Sequence, residues 1–200
     1  MIAAEQKRPD VAGHRRNFTI ARRFVDPTQL VFLDESGAKT HMTRLYGRAL
    51  GGERCVDHVP HGHWKTMTML SAIRARGVMR DATVLIDGAI NGDTFLAYTQ
   101  QFLAPSLCPG DVVVMDNLAS HKVVGVREAI ESVGCDLWYL PPYSPDLNPI
   151  EKMWSKVKAW LRRVEAQTFD ALSHAVADAL RAVDPHECVN YLTSSGYGDY

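Results

Sequence analysis

Three acidic residues stand at the ends of predicted secondary-structure elements. Asp34 follows the apolar run "LVFL", Asp116 follows "VVVM", and Glu151 begins a helix. In open α/β sheets, the functional site normally lies at such ends. Three carboxylates that converge would repel one another at neutral pH unless cations lay between them, and oxygen-only ligands favour Mg²⁺ or Mn²⁺. The three acids therefore predict a metal site if the fold brings them together.

Glu151 also has a purely structural interpretation. Asn148, Pro149 and Glu151 have the spacing of a helix cap, in which the glutamate bonds to the backbone N–H of the cap residue. However, four of the chain's ten prolines lie in "LPPYSPDLNPIEKMW", residues 140–154. A stiff proline segment (residues 140–148) fixes where the helix begins, which a cap does not require but a reacting centre does. The prolines therefore favour Glu151 as a metal ligand.

The surrounding elements are predicted from hydrophobic periodicity and turn residues. Strands are predicted over residues 29–36, 65–77, 78–92, 110–117 and 135–141, and helices over 93–107, 120–134 (with Ser120 as N-cap) and 149–164. The order β-β-β-α-β-α-β-α, with helices only in the second half, predicts an α/β fold. We expect a mixed five-stranded sheet flanked by helices.

Length and composition are consistent with one globular domain and an additional arm. The chain has 200 residues, of which 46% are hydrophobic, and its formal net charge of -1 argues against a uniformly basic surface. Residues 1–28 are rich in Lys and Arg and are predicted to be a basic arm or linker helix. The four cysteines have no disulfide or zinc-ligand spacing. Together with the lack of an apolar membrane-spanning stretch, this favours a cytoplasmic, nucleoid-associated protein and no membrane partner.

Three motifs, in this order, closely resemble the catalytic domain of DDE transposases of the mariner and bacterial insertion-sequence superfamily. They are "LVFLDES", "VVVMDNLASHK" and "LPPYSPDLNPIEKMW", and 34 residues separate Asp116 from Glu151, as in that family. The resemblance covers residues 30–163 and implies a ribonuclease H-like fold. It places the catalytic domain at residues 29–200, with a C-terminal helical tail.

The resemblance also implies the catalytic residues. The family's acidic triad falls on Asp34, Asp116 and Glu151, whereas Glu35 and Asp87 match no triad position. Such a triad would hold two Mg²⁺ or Mn²⁺ ions, one activating the attacking water or 3′-hydroxyl and the other stabilising the leaving oxygen. Asp34 would bridge the two ions. The implied activity is metal-dependent DNA strand cleavage and strand transfer.

Residues near the triad have both functional and structural interpretations. Asn117 would support Asp116 or simply form a turn. His121 would contact the scissile phosphate, support the metal site by orienting the attacking water, or lie on the surface as the first residue after an N-cap. The histidines of "DHVPHGHW" (residues 57–64) could suggest zinc, but a hairpin loop is the better interpretation. The basic residues of the last predicted helix would bind the DNA backbone or form a solvated face: Lys152, Lys156, Lys158, Arg162 and Arg163.

Relatives in this family carry helix-turn-helix domains before the catalytic domain, and no such pair fits before Leu30. We therefore expect a catalytic half of a bacterial insertion-sequence transposase. Its partners would be the element ends, target DNA, a second copy of the chain and the product of an upstream helix-turn-helix reading frame. The alternative is a truncated, non-transposing protein that pairs with or regulates a full-length transposase. Another ribonuclease H-like nuclease, such as a junction resolvase, fits the proline segment less well.

Overall fold

The computed structural model describes residues 4–56, 58 and 64–198. Its centre is one five-stranded sheet with the strand order β3-β2-β1-β4-β5. The strands β1, β2 and β3 are antiparallel neighbours, and β1, β4 and β5 are parallel. The strands are β1 (Leu30–Lys39), β2 (Thr66–Arg74), β3 (Gly77–Asp87), β4 (Val112–Met115) and β5 (Asp136–Tyr139). The predicted mixed five-stranded sheet is confirmed. The predicted order along the chain, three strands followed by two strands that alternate with helices, is confirmed as well.

Six α-helices accompany the sheet in the described ranges. They are α1 (Pro9–Ala21), α2 (Gly92–Tyr98), α3 (Val126–Glu131), α4 (Ile150–Val164), α5 (Phe169–Arg181) and α6 (Pro185–Ser194). Helix α2 continues through a π-helical turn, Thr99–Leu103. Asn91 is the cap of α2, because its side chain accepts a hydrogen bond from the Thr94 N–H at 2.9 Å.

The helix predicted over residues 120–134 is shorter than expected. Ala119–Lys122 form a 3₁₀ turn, and α3 begins only at Val126. Gly125 has a φ of 99°, a left-handed conformation that separates the two segments. The carboxylate of Glu128 accepts a hydrogen bond from the Gly125 N–H at 2.8 Å and so caps α3. The predicted cap at Ser120 is therefore wrong.

The two faces of the sheet carry separate hydrophobic cores. On β1, Leu30 and Phe32 belong to the core that includes α4, α5 and α6, whereas Val31 and Leu33 belong to the core beneath α2 and α3. Since side chains alternate along a strand, Asp34 lies on the α4 side and Glu35 on the other. The sheet therefore separates the two adjacent acids. Trp154 of α4 is fully buried in the first of these cores.

The N-terminal arm packs against the rest of the domain. Val11 and Phe18 of α1 are buried, and the Phe18 ring meets Trp138 edge-on with ring centroids 6.1 Å apart. No helix in the part of the chain that the structure describes is both long and apolar enough to cross a membrane.

Candidate active site

Asp34 is the most deeply buried of the three acids. It lies in the middle strand β1 with only 6% of its surface exposed. Burial, together with the negative charges of Glu151 and Asp116, raises the pKa of Asp34 to about 8. The two other carboxylates therefore lie close enough to act on Asp34. A buried carboxylate next to two more is unfavourable unless a proton or a cation is present.

Asp116 directly follows β4, the parallel neighbour of β1. Its Oδ1 accepts a hydrogen bond from the Leu118 N–H at 3.0 Å and lies 2.7 Å from His121 Nδ1. Partial burial by itself would raise the pKa of Asp116, but His121 and the Leu118 N–H outweigh this effect and lower it. Asp116 is therefore a stabilised carboxylate anion, in contrast to Asp34.

Glu151 lies in the first turn of α4 and is exposed. The residue at the helix cap is Pro149, and no side chain caps this helix. Neither the Asn148 side chain nor the Glu151 carboxylate hydrogen-bonds to any residue in the described ranges. The capping-box interpretation is thus wrong, and no structural hydrogen bond occupies the carboxylate of Glu151.

The three acids line one open cavity of about 530 Å³. Its wall continues through Asn117 and the proline segment as far as Asn148. As they stand, however, no three His, Cys, Asp or Glu side chains of residues 4–56, 58 and 64–198 are arranged to hold one metal ion. Metal binding would therefore require a side-chain adjustment.

Comparison with known proteins identifies the family. A family model described as a DDE superfamily endonuclease matches residues 29–173. The chain belongs to this family. The Tc1 transposase of Caenorhabditis elegans is 28% identical over 99 residues, which cover 44% of this chain and 36% of that protein. The Tcb2 transposase of Caenorhabditis briggsae is 31% identical over 97 residues, covering 43% of this chain and 36% of that protein. The chain thus matches only about a third of either relative.

Solved structures agree with this assignment. The Mos1 transposase in a paired-end complex with its left transposon end has a TM-score of 0.73 and 14% identity, covering 98% of this chain and 65% of that one. The isolated catalytic domain of Mos1 mariner transposase has a TM-score of 0.61 and 13% identity, covering 100% of this chain and 98% of that one. The fold is therefore ribonuclease H-like, and it is similar to that of the catalytic domain of Mos1 mariner transposase.

In this DDE domain, His121 differs from its sequence-based interpretation. It is fully buried, its ring stacks on Phe95 with centroids 4.2 Å apart, and its Nε2 lies 3.9 Å from Glu35 Oε2. Burial by itself would lower the pKa of His121, but the carboxylates of Asp116 and Glu35 raise it to about 9. The ring nitrogens form no well-aligned hydrogen bonds with described residues, so these contacts are ion pairs. The surface position considered for His121 is thus wrong, and its role beside the phosphate or the attacking water stays a prediction.

Asn117 connects the end of β4 to the start of the proline segment. Its side-chain amide donates a hydrogen bond to the backbone carbonyl of Leu140. Leu140 follows β5, so this bond holds two parallel strand ends together beside Asp116. The suggested supporting role of Asn117 stays a prediction, but its side chain lines the same cavity as the three acids. Of the histidines in "DHVPHGHW", those at 61 and 63 lie outside the described residues.

Four of the five basic residues of α4 fall into two groups. Lys152 Nζ lies 2.7 Å from Ser194 Oγ and 2.8 Å from Ser195 Oγ, and Lys156 pairs with Glu187 of α6. These two ammonium groups therefore attach α4 to the C-terminal end of the chain, a role that the sequence did not indicate. DNA contact stays a prediction for both. Two further basic side chains are partly exposed and form no ion pair with a described residue: Lys158 and Arg162.

DNA affinity is expected to depend on salt through Lys158 and Arg162. Each neutralised duplex phosphate contributes about −0.9 to the slope of log affinity against log salt. Replacing both residues with glutamine should make the measured slope shallower by up to about 1.8. Lys156→Gln should instead lower the melting temperature through loss of its pair with Glu187. An unchanged slope in the Lys158 and Arg162 double variant would identify these residues as an ordinary solvated surface.

Proposed function

We propose that this chain cleaves and transfers DNA strands in a reaction that depends on Mg²⁺ or Mn²⁺. The observation that carries the proposal is the burial of Asp34 within reach of the negative charges of Asp116 and Glu151, in one open cavity. Maintaining three mutually repelling carboxylates destabilises the metal-free fold, which a protein without a catalytic role has no need to do. The donor set is made of oxygens only and fits a hard divalent cation.

Asp34, Asp116 and Glu151 would hold the metal. When bound, such ions activate a nucleophile and stabilise the leaving oxygen of a phosphodiester. The catalytic domain of Mos1 has been solved with Mg²⁺ and with Mn²⁺, which supports the same choice of metal here. The chain itself contributes the buried carboxylate of Asp34, the stabilised carboxylate anion of Asp116 and the carboxylate of Glu151, which the proline segment positions.

The partners in this proposal are the ends of a transposable element and its target DNA. Mos1 is bound to transposon-end DNA in one of the similar structures, which supports DNA as the substrate. The proposal has four further parts: a homodimer on DNA, a bacterial insertion sequence as the source, cooperation with a helix-turn-helix protein and a nucleoid location. A regulatory role beside a full-length transposase is the second candidate.

Metal-dependent nicking of supercoiled DNA tests the proposal. With Mg²⁺ or Mn²⁺, the wild-type chain should nick DNA slowly and with little sequence preference, and Asp116→Ala should abolish this activity. A matched control is Asp87→Ala, which removes an exposed acid at the end of β3 and should nick like the wild type. If Asp116→Ala retains the wild-type rate, the nicking comes from another site or a contaminant, and the regulatory role becomes the better explanation.

A further inference from the structure

Helix α1 holds the proline segment through Arg15. The guanidinium of Arg15 forms a two-pronged contact with Asp146: Nη1 to Oδ1 at 2.9 Å and Nη2 to Oδ2 at 2.7 Å. Nη1 also donates to Ser144 Oγ at 2.7 Å, and Ser144 Oγ donates to the Pro142 carbonyl at 3.0 Å. The Arg15 side chain is only 22% exposed. This planar arrangement is the most specific geometry that an Arg–carboxylate pair adopts.

Two further groups hold the same segment from either end of the chain. Gln6 Nε2 donates to the Tyr143 carbonyl at 2.7 Å and to Asp146 Oδ1 at 3.0 Å. The buried hydroxyl of Tyr197 donates to the Leu147 carbonyl at 2.6 Å. Tyr143 has a φ of 55°, an unfavourable backbone conformation for a tyrosine that must be maintained by its surroundings. The N- and C-terminal regions thus supply contacts that maintain the shape of this segment.

The hydrogen bonds of the segment continue without interruption to Glu151. Leu147 N–H donates to the Ser144 carbonyl at 3.0 Å, and Asn148 N–H donates to the Pro145 carbonyl at 3.0 Å. Glu151 N–H in turn donates to the Asn148 carbonyl at 3.3 Å. Because these turns are short and rich in proline, few backbone bonds can rotate between Asp146 and the start of α4. A displacement of Asp146 should therefore also displace Glu151.

We propose that Arg15 and Asp146 are positioning residues for Glu151, so that helix α1 is a working part of the active site. The proposal rests on the proposed function. It differs from the role expected of a basic arm, which is to bind DNA phosphates, because Asp146 already engages both terminal nitrogens of Arg15. A displacement of α1 that alters the contact between Arg15 and Asp146 would then change the placement of Glu151 and the rate of cleavage.

Single and paired substitutions in the full chain test this coupling. Arg15→Ala and Asp146→Ala should each slow nicking at saturating DNA by about 10- to 100-fold, as expected for a displacement of about 1 Å at a reacting centre. Each should also require more Mg²⁺ to reach half of the maximal metal-induced rise in melting temperature. The double variant should be no slower than the slower single variant, because both changes break the same contact. Arg16→Ala, an exposed neighbour on α1, should match the wild type in nicking at saturating DNA and in its Mg²⁺ requirement.

DNA binding distinguishes positioning from phosphate contact. Positioning predicts an unchanged DNA dissociation constant in both single variants. If Arg15→Ala weakens DNA binding while Asp146→Ala strengthens it, Arg15 is a phosphate ligand and the proposal is overturned. Multiplied rate losses in the double variant, or wild-type nicking in both single variants, would also overturn it. If the wild type nicks no faster than Asp116→Ala, the proposed function itself fails.

Loss of folding is controlled by a charge exchange. Arg15→Asp alone places two carboxylates together and should be the slowest variant. Adding Asp146→Arg restores an ion pair between the same positions and should recover at least tenfold of the lost rate at a temperature where both proteins are folded. No recovery would show that the pair does not control Glu151.

Discussion

Replacing Asp34 with asparagine is expected to abolish metal-dependent cleavage and, at the same time, to stabilise the metal-free protein. Asparagine keeps the size of the side chain but removes its charge from a site where burial, Glu151 and Asp116 all oppose ionisation. Cleavage should fall by on the order of 10³-fold or more, since one proposed metal ligand is lost. The free energy of unfolding at pH 7.5 without metal should rise by on the order of 2–4 kcal/mol.

The pH dependence of stability isolates the contribution of Asp34. Its pKa is about 8 in the folded protein and about 3.9 in an unfolded chain. Between these pH values the folded state binds more protons than the unfolded chain. The contribution of protonated Asp34 to stability is therefore fully present below about pH 4 and is lost as the pH rises through about 8. The free energy of unfolding of the metal-free wild type should therefore fall relative to Asp34→Asn by up to about 1.4 kcal/mol per pH unit. His121 titrates in both proteins and largely cancels in this difference.

Denaturant melts between pH 4.5 and 8.5, with and without Mg²⁺, measure both effects. Mg²⁺ at about ten times its dissociation constant should stabilise the wild type by about 1.4 kcal/mol, and Asp34→Asn clearly less. Asp87→Asn is the matched control and should resemble the wild type in nicking and in stability. Equal pH profiles for wild type and Asp34→Asn would mean that the three carboxylates do not interact in solution.

Replacing Glu151 is expected to cost activity but almost no stability. The Glu151 carboxylate is exposed and caps no helix, so Glu151→Ala should not lower the free energy of unfolding by more than about 0.5 kcal/mol. Removing its negative charge from beside Asp34 should instead raise the stability of the metal-free protein. Cleavage should nevertheless fall by at least about 100-fold, since the same carboxylate is a proposed metal ligand. Nicking assays and melts of the same preparation test both statements.

Glu128 provides a control with the opposite expectation, a loss of stability without a loss of activity. Its carboxylate does bond to the Gly125 N–H at the start of α3, so Glu128→Ala should lower the free energy of unfolding by about 0.5–1 kcal/mol while leaving nicking intact. A Glu151→Ala protein that lost stability and kept its activity would return Glu151 to the role of a helix cap. The proline segment would then position a cap and not a ligand.

The sequence by itself determined the order of the strands and helices, the start of α4 and the three acids. These features depend on local information: the apolar β-branched and aromatic run of β1, turn residues at element ends, proline restrictions before Ile150 and the spacing within three motifs. Sequence periodicity also separated Asp34 from Glu35, since neighbouring residues on a strand face opposite sides of the sheet. The sequence suggested a cap at Asn148, because the same residue types serve equally well in a capping box and in a functional segment.

Only the tertiary structure decided which partners the remaining polar groups have. His121 was expected on the surface, but the 3₁₀ turn after β4 buries it between Asp116 and Glu35. The contact between Arg15 and Asp146 joins groups 131 residues apart, and no local pattern encodes such a pairing. The same holds for the pKa of Asp34, which depends on burial and on two charges brought from other elements. Residue types and spacing thus indicate which groups can react, whereas their protonation and placement arise from long-range packing that forms only in the folded chain.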